Sequence, residues 1–142
     1  MPTVDQNDDL LQLIDAIYHT VEAPETWAAV MSRVAQWSEA PAIGVRLEYK
    51  QAGALEQTWS GLPDAFERLY VDGLWRSDPW AAAADSMPVG RVVTGHDELT
   101  RISPTIPTAP FINDLLRPLG FSEVVGVVIR RDDTSLFTLS AL

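Results

Sequence analysis

Residues 43–60 read IGVRLEYKQAGALEQTWS, and this stretch decides the fold. Ile43, Val45, Leu47 and Tyr49 alternate with Gly44, Arg46, Glu48 and Lys50. A period of two sends successive side chains to opposite faces of a strand, so one face here is expected to be buried and the other polar. Gln51-Ala52-Gly53-Ala54 supplies a short turn. Leu55, Gln57 and Trp59 then alternate with Glu56, Thr58 and Ser60, which returns the chain as the second strand of a hairpin.

Before the hairpin the period is helical. Leu10, Leu11, Ile14, Ile17, Tyr18 and Val21 form one stripe over residues 8–23, capped by Asn7 or Asp8. Pro24 opens a second helix, in which Trp27, Val30, Met31 and Val34 recur to about residue 38. After the hairpin, Gly61-Leu62-Pro63-Asp64 opens a third helix with a stripe of Leu62, Phe66, Leu69, Tyr70, Gly73 and Leu74. Asp78-Pro79 stops it, because proline disfavours a helical residue before it. A short helical segment at 79–85 and a short strand at 90–94 follow. The proline-bearing stretch 102–109 reads as a loop, and a helix is expected at about 109–118 with Phe111, Leu115 and Leu116 on one face.

Val124-Val125-Gly126-Val127-Val128-Ile129 is a continuous apolar run, the pattern of a central strand covered on both faces. Arg131-Asp132-Asp133-Thr134 turns the chain into a last strand at 136–142. The order ααββαβαββ is that of an α+β fold: a five-stranded antiparallel sheet with helices packed on it and an N-terminal helical pair. The chain, 1–142, reads as a single domain. It stops inside an apolar strand, which gives the expectation of an open strand edge and a cut or unusually short chain.

Composition narrows the function. Ten basic residues against twenty acidic ones give a net charge of −10, and Lys50 is the only lysine. Phosphate backbones are held by Lys and Arg, so direct nucleic-acid binding by this chain is not expected. The absence of cysteine excludes disulfides and thiolate chemistry, and fits a cytoplasmic protein. No apolar run approaches the roughly 20 residues that span a bilayer, and the acidic N-terminus is unlike a signal peptide. Gly-x-Ser-x-Gly, His-Glu-x-x-His and phosphate-loop patterns are missing, so no enzyme, catalytic residue, cofactor or metal site is expected. His96-Asp97-Glu98 groups three possible ligands, but adjacent residues rarely converge on one metal.

The middle of the chain resembles a known family. Gly61-Leu62-Pro63-Asp64-Ala65-Phe66-Glu67-Arg68-Leu69-Tyr70, followed by Leu74-Trp75-Arg76-Ser77-Asp78-Pro79-Trp80, is similar to the N-terminal sensor domain of LuxR-type helix-turn-helix transcription regulators. So are Gly90-Arg91-Val92-Val93-Thr94-Gly95 with Asp97-Glu98-Leu99, and Phe111-Ile112-Asn113-Asp114-Leu115-Leu116-Arg117-Pro118-Leu119-Gly120. The resemblance implies a GAF/PAS-like fold, an unknown small-molecule ligand and a homodimer. It also implies a helix-turn-helix domain, and none follows within these 142 residues. Acyl-homoserine-lactone receptors of that superfamily carry an aromatic residue, a tyrosine four residues on and a later Asp-Pro, an order matched by Phe66, Tyr70, Asp78 and Pro79. Two departures stand out: Phe66 replaces the usual tryptophan, and the tyrosine-to-aspartate gap is one residue shorter.

The candidate ligand-binding residues are therefore Trp59, Phe66, Tyr70, Trp75, Asp78 and Trp80. Aromatic rings give apolar walls for a small amphipathic molecule, and a carboxylate can accept a hydrogen bond from it. The same residues also fit a filled core, with Asp78 only capping the segment after it. The first helix can pack on its own sheet, on a second copy, or on both.

Overall fold

The computed structural model describes residues 4–94, 98, 100–102, 104, 109–121 and 123–142. Helices α1 (Val4–His19) and α2 (Trp27–Ser38) precede strands β1 (Ile43–Tyr49) and β2 (Ala54–Ser60). Helix α3 (Asp64–Asp72), a 3₁₀ turn at Leu74–Ser77 and helix α4 (Pro79–Ala84) follow. Strand β3 (Val92–Thr94) and a π-helical segment at Phe111–Leu116 lead to strands β4 (Val125–Arg131) and β5 (Ser135–Ala141). The strands form one five-stranded sheet in the order β2-β1-β5-β4-β3, with antiparallel pairing between neighbours. This is the expected α+β architecture. His96, Asp97, Gly95, Leu99 and Pro107 lie outside the described residues.

Helices pack on both faces of the sheet, on one of them over β1 and β2, so there are two cores. Leu13, Val30, Met31 and Val45 lie between the helical pair and one face, joined by Phe137 and Leu139. On the other face Tyr70, Ala84, Met87, Phe111, Leu116 and Val128 belong to a larger cluster under α3, α4 and the π-helical segment. The expected polar face of β1 is thus an interior face: Gly44 and Arg46 are as buried as Val45.

Several expectations are corrected. The last strand is not an open edge. β5 pairs with β1 on one side and β4 on the other, and the sheet edges are β2 and β3. The apolar run in β4 is not covered on both faces. Val128 is fully buried, but Val125 and Ile129 are exposed because the helical pair sits over β1 and β2. The first helix is displaced to 4–19 and its buried position is Leu13, which the expected stripe omitted. Leu11 at 64% and Tyr18 at 74% exposure face solvent. Helix α3 ends at Asp72, short of Asp78, because Gly73 takes φ 148°, a backbone conformation that a side chain resists.

A bulge between Val128 and Arg130 shifts the β4–β5 register by one residue, pairing Arg130 with Phe137 and Arg131 with Leu136. The shift returns Arg131 to the face that carries α4. Its Nη2 donates to the carbonyls of Ala84 and Met87 at 2.6 and 2.7 Å, tying the end of α4 to the sheet.

Candidate ligand-binding site

A cavity of about 70 Å³, measured as the space open to the centre of a water molecule, lies between the sheet and the second helical layer. One water needs about 10–15 Å³ on that measure, so the space holds more than one. Arg46 of β1, Gly126 of β4, and Thr138 and Ser140 of β5 form its sheet side. Cross-strand register sets this grouping: Arg46 pairs with Thr138, and Gly44 and Gly126 both pair with Ser140. Trp59, Phe66, Tyr70 and Phe111 line it with aromatic surface. Asp78, Trp80, Ala81 and Ala84 contribute from the start and length of α4.

Local sequence explains these positions. Phe66 and Tyr70 are four residues apart on α3 and present the same way. Their ring centroids are 6.2 Å apart, and Phe111 meets both rings edge-on at 6.4 and 6.2 Å. Gly44 makes room for Trp59: a Cβ there would lie 2.3 Å from the indole Cδ2. Trp59 Nε1 donates to Gln57 Oε1 at 3.0 Å, and Gln57 Nε2 to the Glu67 carbonyl at 3.3 Å, which links β2 to α3.

Asp78 precedes Pro79 in extended conformation and caps α4, with Oδ1 accepting from the Trp80 backbone N–H at 2.9 Å. Its Oδ2 accepts from the Tyr70 hydroxyl at 2.6 Å, and that hydroxyl in turn accepts from Arg46 Nη1 at 3.2 Å. Arg46 Nη2 lies 3.4 Å from Glu48 Oε2. Burial pushes the Asp78 carboxyl above its ordinary range, against the opposing pull of the Tyr70 hydroxyl, Arg46 and the backbone N–H groups of Ala81 and Trp80. Burial and the neighbouring Asp78 push the Tyr70 hydroxyl strongly upward, so it stays protonated and donates.

Five of the six residues singled out from sequence line this cavity: Trp59, Phe66, Tyr70, Asp78 and Trp80. Trp75 does not. It sits in the turn after α3 with the Arg76 guanidinium over its ring at 4.9 Å. Asp78 fills the capping role weighed for it and is also joined to Tyr70. Sequence reasoning missed Arg46, Phe111, Thr138 and Ser140. Arg46 was legible only as a polar position in an alternating strand, which is also how a solvent-facing residue reads. Among the described residues no group of His, Asp and Glu side chains is placed to hold a metal ion.

No protein-family model matches the sequence, and no curated protein matches it. The fold is similar to that of the VqsR LBD (ligand-binding) domain from Pseudomonas aeruginosa, with a TM-score of 0.70 at 15% sequence identity. The match covers 98% of this chain and 80% of that one. At this identity the likeness is one of fold. Among the described residues no helix is long and apolar enough to cross a membrane.

Proposed function

We propose that this chain is the sensor domain of a LuxR-type transcription regulator, and that it binds a small amphipathic molecule in the cavity between the sheet and α3–α4. The observation that carries the reading is the convergence of Phe66, Tyr70 and Asp78, four to twelve positions apart in sequence, on one cavity with Trp59 and Trp80. The fold shared with a ligand-binding domain supports it, as does the sequence resemblance of residues 61–80 and 111–120 to the LuxR-type sensor. The domain does no chemistry of its own. It works in the cytoplasm and passes ligand occupancy to a DNA-binding domain, because a net charge of −10 unfits it for phosphate contacts itself.

Thermal unfolding in the presence of small-molecule cell extracts tests the proposal. A ligand that binds only the folded state raises its stability by about 2.7 kcal/mol at 100 times its Kd. The expected result is stabilisation of the wild-type chain by at least one extract fraction and none of an Ala84→Phe variant, whose cavity is filled. Extracts that stabilise both chains equally, or neither, overturn it.

A second reading has its own observation. Leu11, Ile14 and Tyr18 are exposed on α1 at spacings of three and four, with Val21 just beyond the helix. This is the seam of a helix that packs on a partner, and it supports a homodimer or interaction module. Sedimentation of Tyr18→Glu against wild type tests it. The seam predicts a concentration-dependent dimer that the substitution dissociates, and a monomer at all concentrations rules it out.

A further inference from the structure

The outer face of β4 and β3 carries no helix among the described residues, and the chemistry of what covers it can be read from α1. Helix α2 packs over β2 and β1, and the core it shares with α1 reaches Phe137 and Leu139 of β5, which puts α1 on the β5 side of α2. Val127 pairs with Leu139, and Val92 with Val127, so Val92, Val125 and Val127 point to the side of the sheet that bears the helical pair. The bulge after Val128 adds Ile129 and Arg130 to that side. Val92, Val125 and Ile129 are exposed there. Neighbouring strands lie about 4.8 Å apart, so β4 and β3 leave an apolar strip about 10 Å wide, the width of one helix.

Helix α1 has apolar surface to match. At about 100° per residue, Ile14, Tyr18 and Leu11 stand about 100°, 140° and 160° round the helix from Leu13, which points into the core. All three are exposed. A single core needs a stripe about 100° wide, so α1 carries more apolar surface than its own sheet uses. Asp9 and Leu13 meet Arg33, Gln36 and Trp37 of α2 on the opposite flank, so the surplus stripe faces away from α2. Charge divides in the same way. Asp15 lies about 40° beyond Leu11, with Asp8 beside it, and α1 contains no Lys or Arg. The strip is edged by Arg130, whose side chain is 62% exposed and whose one ion pair among the described residues, with Asp132, is 4.0 Å long. From this match of width, apolar surface and charge we infer that the strip on β4 and β3 receives α1 of a second copy of this chain. Each copy seats Leu11, Ile14 and Tyr18 on the other's Val92, Val125 and Ile129, with Asp15 beside Arg130. The contact is isologous and forms twice about a twofold axis. It rests on the reading of α1 as an interaction helix and adds the surface that receives it.

Sedimentation across a concentration series, with circular dichroism to check that each variant folds, tests the arrangement. The wild-type chain is expected to dimerise. Ile129→Glu and Val125→Glu, which change exposed positions far from α1 in sequence, are expected to leave monomer. Asp15→Arg and Arg130→Glu should each weaken dimerisation about two- to thirtyfold, because each reversal acts at both copies of the contact. The double variant D15R/R130E should recover the wild-type constant. A dimer that Tyr18→Glu dissociates but Ile129→Glu, Val125→Glu and both charge reversals leave intact overturns the inference and keeps the α1 reading, since α1 then packs on α1 alone. Charge reversals that weaken the dimer singly and do not recover it together also overturn the inference. A wild-type chain that is monomeric throughout overturns both and leaves the strip to an unrelated partner.

Discussion

Tyr70→Phe removes one oxygen atom and tests how the site is held together. In the wild type that oxygen donates to Asp78 at 2.6 Å and accepts from Arg46 at 3.2 Å, in a place where Tyr70 is 7% and Asp78 8% exposed. Hydrogen bonds to charged groups contribute about 1.5–3 kcal/mol each, and the void left by one oxygen is small. Because the two bonds share one atom and part of the loss relaxes, we expect a destabilisation of about 2–4 kcal/mol. For a chain of this length that lowers Tm by about 6–20 °C.

The cost also has a sign in pH. Burial raises the Asp78 carboxyl, and the Tyr70 hydroxyl pulls it back down. Deleting the hydroxyl therefore raises it further. A carboxyl raised in the folded state binds more protons there than in the unfolded state, so stability falls as pH rises through its folded pKa. The Tyr70→Phe penalty should be greatest above the folded pKa of Asp78 and shrink as pH falls below it. Chemical denaturation of both chains at matched pH values measures this. A penalty below about 0.5 kcal/mol, the range of a surface substitution, or one that grows as pH falls, would mean that the Tyr70 oxygen does not hold Asp78 and Arg46 together.

Three further outcomes follow from the geometry. Gly44→Ala places a methyl against the Trp59 ring; it should cost about 1–3 kcal/mol by overpacking and change tryptophan emission, seen in fluorescence-monitored unfolding. Asp132 accepts from the backbone N–H groups of Thr134 and Ser135 and from the Thr134 hydroxyl, which pulls its carboxyl from 3.8 down to about 2. Its contribution is present above 3.8 and lost as pH falls through about 2, so the NMR titration of its carboxyl carbon should show that low midpoint and Asp132→Asn should remove it. Trp75→Phe leaves the cavity lining intact, and it should not alter the affinity of any ligand that Phe66→Ala weakens, as read by calorimetry.

The strands were legible because alternation in 43–60 and the apolar run at 124–129 leave few other readings. What alternation could not tell was whether the polar face of β1 meets water or a second layer. Arg46 and Lys50 look alike in sequence, yet one is buried among aromatic rings and the other is exposed. The expected α1 stripe failed for a related reason. Leucine and isoleucine occur around much of that helix, and periodicity cannot choose which of two apolar faces meets the sheet. The position of β5 at the sheet centre depends on long-range pairing, for which local pattern carries no signal. Helical spacing and the Asp-Pro stop bring Phe66, Tyr70 and Asp78 together but fit a filled core equally well, and it is the resemblance to the LuxR-type sensor that marks them as a candidate site. Trp75 is expected beside Asp78 at the end of the third helix, and the 3₁₀ turn after Gly73 carries it away from the cavity.

A small molecule is expected to enter the space above Arg46 and Thr138. Met87 lines that space, whereas Met31 is buried in the separate core beneath the helical pair. With ¹³C-labelled methionine methyl groups, titration with toluene should shift the Met87 signal saturably and leave the Met31 signal in place. A Met87 signal that stays fixed, or the same movement of both methyls, would mean that no small molecule enters this space.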